Sequence, residues 1–554
     1  VFVMVTKTAA YQKGDVCFHC SNPGAPYLCS GCKSIYFCDA VCQRTGWKKR
    51  KEACKAAERP GQIAVEETES KIATSRRIWG MDADSPGVRE ARLPHCIPAD
   101  QSRCLLHFVR KSKKPSSGSV AACVASDAAS PPATQASVRH ALEFEGRACP
   151  VVELSVAGET LDMRTLQCLR AYFQPQRQRA VIMRGLPVLP QAMQKWTLEY
   201  LRDHLGATTQ YHTFQSASDK NTFTYFLKDP LHLDMSAHAC DPPNKSLRIT
   251  SHEFCKRHLQ ELDSPSSTPD RLYFQAPMFV WREDGTAEVA KVEPAMQQDL
   301  QSVNFALIEQ LGKLGRLGRL ARSSLFCSGR DALSPVHYDQ AQNLYFQIRG
   351  CKRFLLFPPE LGHCFYPYPV VHPMDLRARI DLSRPDYQAF PQLQDALGKG
   401  VVADLRPGDV LFLPTHWWHQ VQSLEETNIS LNFWFHDEGP QGKAGLADAE
   451  RVLFPLSPAG EVELARQIEL FLADQCGPGG VESFLKWVHS GALTEEAGNL
   501  NETMSSKHDA WGTVARYLVR RAVELAGVEA AQRLLDSMLH PKRWAGLAKR
   551  PGHA

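Results

Sequence analysis

The sequence predicts an α+β protein, a jelly roll of short strands with flanking helices behind a small cysteine-rich module. Three observations carry that expectation. Period-two alternation of apolar and polar residues, punctuated by Gly and Pro, runs from about 320 to 436, the pattern of strands in a β-sandwich or jelly roll. Helical apolar spacing lies on either side, in Met193–Leu205 with Gly206 as its stop and again over roughly 441–540. Seven of the 18 cysteines crowd into the first 54 residues, ahead of a large cysteine-sparse body.

Composition excludes several classes. Of the 554 residues, 43% are hydrophobic and 22% charged, which suits a globular chain with a sizeable core and excludes collagen, coiled coil and wholesale disorder. A net charge of +4 gives no argument for nucleic acid or an anionic membrane as partner. No apolar run reaches the roughly 18 residues of a membrane span, and the opening Val-Phe-Val-Met-Val lacks the basic segment of a secretory signal.

The cysteine cluster reads Cys17-Phe-His-Cys20, Cys29-Ser-Gly-Cys32, Cys38-Asp-Ala-Val-Cys42 and then Cys54. Each Cys-x-x-Cys pair makes a knuckle that turns two thiolates onto one tetrahedral ion. Cys38 and Cys42, four apart, share a face of one helical turn. Intracellular zinc binding explains this density better than a secreted disulfide framework, and zinc would supply the folding energy that so short a segment lacks.

The segment 14–54 resembles a MYND-type zinc finger. The resemblance implies two interleaved sites, Cys17, Cys20, Cys38 and Cys42 at one, Cys29, Cys32 and Cys54 at the other. The family's remaining ligand is a His four residues before the last Cys, where this chain has Arg50. A guanidinium does not deprotonate in proteins and cannot ligate, so the second site is one ligand short, with His19 the nearest alternative donor. The resemblance also implies docking of a proline-containing peptide. The basic run from Lys48 to Lys51 reads as a nuclear address or as the solvated face of a helix, and the chain is expected in cytoplasm or nucleus. Residues 55–138 are a poorly defined region ending in a Ser/Ala/Pro-rich linker, from Lys111 to about Ser137, too poor in large apolar residues to fold. The body is expected at 139–440 and a helical region at 441–554.

Chemistry concentrates in Ser334-Pro-Val-His337-Tyr-Asp339. Residues two apart on a strand face the same way, so His337 and Asp339 supply two thirds of a facial triad for non-haem Fe(II). His232-Leu-Asp234 has the same spacing and is read as a decoy, because no comparable strands follow it. After Asp339, Gln342–Ile348, Arg349-Gly-Cys and Lys352–Phe357 read as a hairpin with a tight Gly turn. Lys352 would then sit inside the jelly roll, where only a carboxylate makes its charge tolerable; a cosubstrate with a distal carboxylate would provide one. The third ligand is expected after Pro407-Gly-Asp-Val-Leu-Phe-Leu-Pro414, at His419, with His416 the competitor. Asn428–Trp434 alternates, which turns Asn432 inward.

Residues 165–490 resemble the Jumonji C (JmjC) 2-oxoglutarate oxygenases, and among them look most like the asparaginyl hydroxylase that inhibits hypoxia-inducible factor. The motifs are Lys195-Trp-Thr-Leu-Glu-Tyr-Leu, His337-Tyr-Asp-Gln-Ala-Gln-Asn343, Phe357-Pro-Pro, Tyr366-Pro-Tyr-Pro, Arg384-Pro-Asp-Tyr, Gly408-Asp-Val-Leu, Trp417-Trp-His and Asn432-Phe-Trp. The resemblance implies a double-stranded β-helix, cupin-like barrel. It implies iron on His337, Asp339 and His419, and Lys352 pairing the distal carboxylate of 2-oxoglutarate. Tyr273 and Ser334 (a Thr in the relative) would bond that same carboxylate; Asn343 and Asn432 would contact the cosubstrate's other end or an iron-bound water. The implied reaction hydroxylates an asparaginyl, aspartyl or histidyl-type side chain of a protein presented as an extended peptide, using O2 and giving succinate and CO2.

One departure bears on the target. The relative carries Asp-Arg-Gln, whose Arg-Gln pair addresses the target amide, where this chain has Asp375-Leu376-Arg377. Leucine cannot donate to an amide and Arg377 cannot accept from one. Two other readings stay open, a JmjC demethylase acting on methyl-lysine and an inert MYND–JmjC scaffold. In the tail, Val462, Ala465, Ile468 and Leu472 form one apolar stripe and Val514, Leu518, Val519 and Ala522 another. Each must be buried, on the jelly roll or, as the resemblance suggests, in a homodimer.

Overall fold

The computed structural model describes residues 27–28, 36–37, 142–154, 160–174, 177–216, 221–226, 242–263, 270–281, 287–436, 446, 457–490 and 507–544. They fall in two compact units, Val1–Ile78 and Trp79–Ala554. In the first, β1 (Tyr27–Leu28) and β2 (Tyr36–Phe37) pair antiparallel, Tyr27 opposite Phe37. The seven cysteines expected to hold zinc, His19 and Arg50 lie outside the described residues, as do His232 and Asp234 of the second unit.

The strands of the second unit are β3 (Glu145–Ala148), β4 (Val151–Glu153), β5 (Val181–Arg184), β6 (Gln210–Gln215), β7 (Lys245–Thr250), β8 (Leu272–Trp281), β9 (Ala287–Val289), β10 (Arg319–Ser328), β11 (Leu333–His337), β12 (Gln342–Arg349), β13 (Lys352–Phe357), β14 (Gly400–Leu405), β15 (Val410–Leu413), β16 (Trp418–Ser423) and β17 (Asn428–His436). Among the described residues they build two sheets. The larger runs β4-β5-β15-β12-β17-β10-β8-β6-β7, with β9 beside β8, and the smaller runs β11-β16-β13-β14-β3.

Alternation decides what each face meets. On β17 every residue from Asn428 to Phe435 is buried, but Ile429, Leu431, Phe433 and Phe435 join Leu344 and Phe346 of β12 in a core beneath helices that include Leu198–His204 and Phe305–Gly315. Asn428, Ser430 and Asn432 turn the other way, as period two requires. Between the sheets, Phe354 and Leu356 of β13 and Val401 and Ala403 of β14 meet Tyr345 of β12 and Leu411 of β15. The Oγ atoms of Ser328 and Ser423 join the sheets at 2.9 Å. The interior is therefore apolar in one part and polar in another. The sheets share no ladder among the described residues, so the expected barrel is a jelly roll of two facing sheets.

Three local expectations are corrected. β12 and β13 do not form a hairpin: β12 pairs with β15 and β17, and β13 with β14 and β16. Arg349-Gly-Cys carries the chain from one sheet to the other, and Gly350 makes that corner at φ +68°, where a Cβ would lie 2.2 Å from the Thr427 carbonyl oxygen. Met193–Leu205 is two helices, Pro190–Lys195 and Leu198–His204. Thr197 breaks it by capping the second with its hydroxyl, and Trp196 is fully buried with its indole N–H on Asp299 at 3.1 Å. The last part of the helical spacing expected over roughly 441–540 is likewise divided, into Lys507–Ala526 and Val528–Met538, at Gly527, φ +77°.

The apolar stripes of the tail are covered within the chain. Val462 packs on the cluster of Phe365 and Trp418. Ala465, Ile468 and Leu472 are at most 1% exposed, and Val514, Leu518, Val519 and Ala522 at most 3%. No described helix is long and apolar enough to cross a membrane.

Candidate metal centre

β11 and β16 run antiparallel with His337 opposite His419. Directly opposed residues share a face, so the register alone brings two imidazoles together, with ring centroids 4.1 Å apart. Asp339 follows the end of β11 by two residues. The turn before β16 holds it in place: His416 N–H donates to the Asp339 carbonyl at 2.9 Å and Thr415 Oγ1 at 3.3 Å. Ligand atoms of His337, Asp339 and His419 all lie within 4.8 Å of one another, the one such group among the described residues.

The hydrogen bonds leave the ligating atoms free. Nδ1 of His337 faces the Pro335 carbonyl at 2.7 Å and Nδ1 of His419 the Trp417 carbonyl at 2.8 Å. A carbonyl only accepts, so both rings carry their proton on Nδ1 and offer Nε2 as a lone pair. Trp434 Nε1 donates to Asp339 Oδ2 at 3.3 Å, which leaves Oδ1. Burial, then the neighbouring imidazole, pushes His337 well below its usual 6.5, and burial lowers His419 too. Burial works against the Asp339 charge, but the two imidazoles and the Trp434 N–H keep the carboxyl below its usual range. Neutral imidazoles and an ionised carboxylate are the forms a divalent cation takes.

Lys352 opens β13 opposite Ser423 of β16, while Leu356 lies opposite His419. The lysine therefore starts four residues, about 13 Å along the strand, from the imidazole pair. It is 1% exposed and forms no ion pair among the described residues. Its ammonium lies 5.5 Å from the ring centre of Tyr273 and 5.7 Å from that of Tyr345. Those contacts soften the burial of a charge without neutralising it. Tyr345 in turn donates to Ser430 Oγ at 2.7 Å. Ser334 is half-buried on β11, opposite Val421. Asn432 donates to Asn343 Oδ1 at 3.2 Å, and its own Oδ1 is buried without a partner among the described residues. An unsatisfied acceptor, an unpaired ammonium and three convergent ligands fit a metal with a carboxylate-bearing companion.

Against that geometry, residues 172–440 match the family described as the cupin-like domain and residues 17–54 the MYND finger. Residues 172–440 form a cupin-like domain. The chain is 38% identical over 152 residues to the HSPB1-associated protein 1 homolog of Danio rerio, covering 27% of this chain and 31% of that one. It is 27% identical over 140 residues to the lysine-specific demethylase JMJ31 of Arabidopsis thaliana, covering 25% and 24%. It is 27% identical over 270 residues to the tRNA wybutosine-synthesizing protein 4 of Gibberella zeae, covering 47% and 22%. The chain thus spans less than a third of the length of each of these relatives. The MYND finger implies zinc.

The cupin-like domain also uses residues that local pattern does not reveal. His416 does not join the ligand group; at 3% exposure it pairs with Glu463 at 2.9 Å. Helix Pro458–Cys476 also sends Arg466 to Asp375, with bonds of 2.6 and 2.8 Å, and to the Tyr338 hydroxyl at 3.0 Å. Tyr338 lies between His337 and Asp339, so this helix braces the centre. Nothing near Arg466 in the sequence signals a partner 91 residues away. Trp434 was legible, being two residues beyond Asn432 on the same face. Arg466→Ala would strand the buried Asp375 carboxylate and is expected to destabilise the domain by about 3–5 kcal/mol, read as a lower urea midpoint; Arg466→Lys should lose less.

Proposed function

We propose that the chain is an Fe(II)- and 2-oxoglutarate-dependent oxygenase that hydroxylates a protein side chain, with its MYND finger docking a proline-containing partner. The observation that carries this is the convergence of His337, Asp339 and His419 on a face shared with Lys352, which is buried and meets no carboxylate among the described residues. Nε2 of each histidine and Oδ1 of Asp339 would hold the iron. Bound iron with 2-oxoglutarate supplies the oxidising power, consuming O2 and releasing succinate and CO2.

The chain's own residues position and shield. Lys352 would pair the distal carboxylate, with Tyr273 and Ser334 beside it, selecting a diacid of fitting length. Asn343 and Asn432 would bond the keto-acid end or an iron-bound water. Trp434 fixes the Asp339 carboxylate, and the apolar part of the interior keeps water out. In the finger, Cys17, Cys20, Cys38 and Cys42 would hold one zinc ion, and Cys29, Cys32 and Cys54 three corners of a second.

The relative named as a lysine-specific demethylase supports a second reading, because the same chemistry at an N-methyl group removes it. The two are tested together. Full-length protein with Fe(II) and ascorbate should convert 2-oxoglutarate to succinate, and mass spectrometry of a treated peptide library should find an added oxygen atom. A lost methylene selects the demethylase; no succinate leaves only a scaffold.

A further inference from the structure

We propose that Arg377 selects the target, and that the target is an acidic side chain, aspartate or glutamate, of a protein presented at His337, Asp339 and His419. This deepens the oxygenase reading and rests on it. The step is the one already given: R–H, O2 and 2-oxoglutarate become R–OH, succinate and CO2, one oxygen atom going to the target carbon and the other to succinate.

Arg377 lies at the centre, its backbone bridged to that of His337. It is 8% exposed, and among the described residues no carboxylate comes within ion-pair distance of it. Nη1 donates to the Asp375 backbone oxygen at 2.6 Å, but the Asp375 carboxylate itself is taken by Arg466. A buried guanidinium is ordinarily matched by a carboxylate, which it grips with two parallel N–H bonds. Here the described residues supply none. Burial pulls the Arg377 pKa below its usual value, with Asp339 and Asp375 only partly opposing.

The backbone before it is strained. Leu376 sits at φ +69°, a region bulky side chains avoid. It is held there by bonds from its N–H to Asp375 Oδ1 at 2.7 Å and from Tyr338 N–H to its carbonyl at 3.1 Å. Such strain persists where neighbours over-determine it, typically at functional sites. A second cation stands on the opposite sheet. Arg322, exposed, stacks 4.2 Å over Trp434, the residue bonded to Asp339. Tyr225, 40% exposed, lies 5.6 Å from the Arg377 guanidinium. Two cations beside one centre attract a carboxylate and repel lysine.

The test incubates the full chain with Fe(II), ascorbate, 2-oxoglutarate and peptide libraries whose central residue is Asp, Glu, Asn or Lys, and counts oxidised peptides by mass spectrometry. Asp- or Glu-centred peptides should be oxidised at least roughly tenfold faster than Asn-centred ones. Arg377→Gln should bring that ratio towards one, Arg377→Lys should keep part of it, and Arg322→Gln, at an exposed position, should lower it less. Faster oxidation of Asn- or Lys-centred peptides overturns the proposal. So does a ratio unmoved by Arg377→Gln, including one accompanied by a higher half-saturating 2-oxoglutarate, which would assign the guanidinium to the cosubstrate's carboxylate. Succinate formed with no library oxidised overturns the acidic target alone, whereas no succinate under any condition overturns the oxygenase reading and this proposal with it.

Discussion

His337→Ala is expected to abolish succinate formation while leaving the fold and the zinc content intact. The imidazole is one of three groups whose ligand atoms lie within 4.8 Å, and its Nε2 is free because Nδ1 is committed to the Pro335 carbonyl. Removing it leaves one imidazole and one carboxylate, a donor set too small to hold ferrous iron against water. Outer-shell partners alone change metal affinity or activity about 10–100-fold, so loss of a ligand should exceed about 100-fold. His337 ends a strand with its backbone on the β16 ladder, which alanine preserves. Metal analysis of the same preparation should find zinc unchanged and iron gone. Turnover that persists would move the iron elsewhere.

Lys352→Met should separate stability from function in the opposite sense. The ammonium is 1% exposed, with two tyrosine rings and no described carboxylate for company. Methionine fills similar volume without the charge. Replacing uncompensated buried charge by packed apolar atoms is expected to raise the ligand-free stability by roughly 1–3 kcal/mol. The same change removes the anchor for a diacid. Wild type with Mn(II) should gain about 2.7 kcal/mol when 2-oxoglutarate stands at a hundred times its Kd, and Lys352→Met should gain nothing at that concentration. Urea unfolding with and without 2-oxoglutarate reads both. A variant that is less stable, yet still stabilised by the diacid, would show that Lys352 serves the fold alone.

Period-two alternation made the inward faces of β11, β12 and β17 legible. It therefore placed His337, Asn343 and Asn432 on the side where the structure has them. Pairing was less legible. Nothing local distinguishes Arg349-Gly-Cys as a tight hairpin from a corner between sheets, because a glycine at positive φ serves both. The choice is made by β15 and β17, 60 or more residues later in the chain. Thr197 carries a helix-cap signal that competes with the apolar spacing running across it, and the cap wins. The braces on the centre, Arg466 on Asp375 and Glu463 on His416, join residues far apart in the chain through tertiary packing, and no spacing rule reaches them. Arg377 stands out as a departure from a known motif; that its guanidinium is buried with no carboxylate among the described residues needs the fold.

The most direct measurement is an anaerobic titration of the full-length protein with Fe(II), then 2-oxoglutarate, followed by visible absorption. A ferrous ion chelated by a keto acid gives a charge-transfer band that zinc in a finger cannot give. If His337, Asp339 and His419 hold the iron, the band saturates at one iron per chain, requires both additions, and is missing from His337→Ala and displaced to higher 2-oxoglutarate in Lys352→Met. No band in the wild type, or an equal band in His337→Ala, would contradict that assignment.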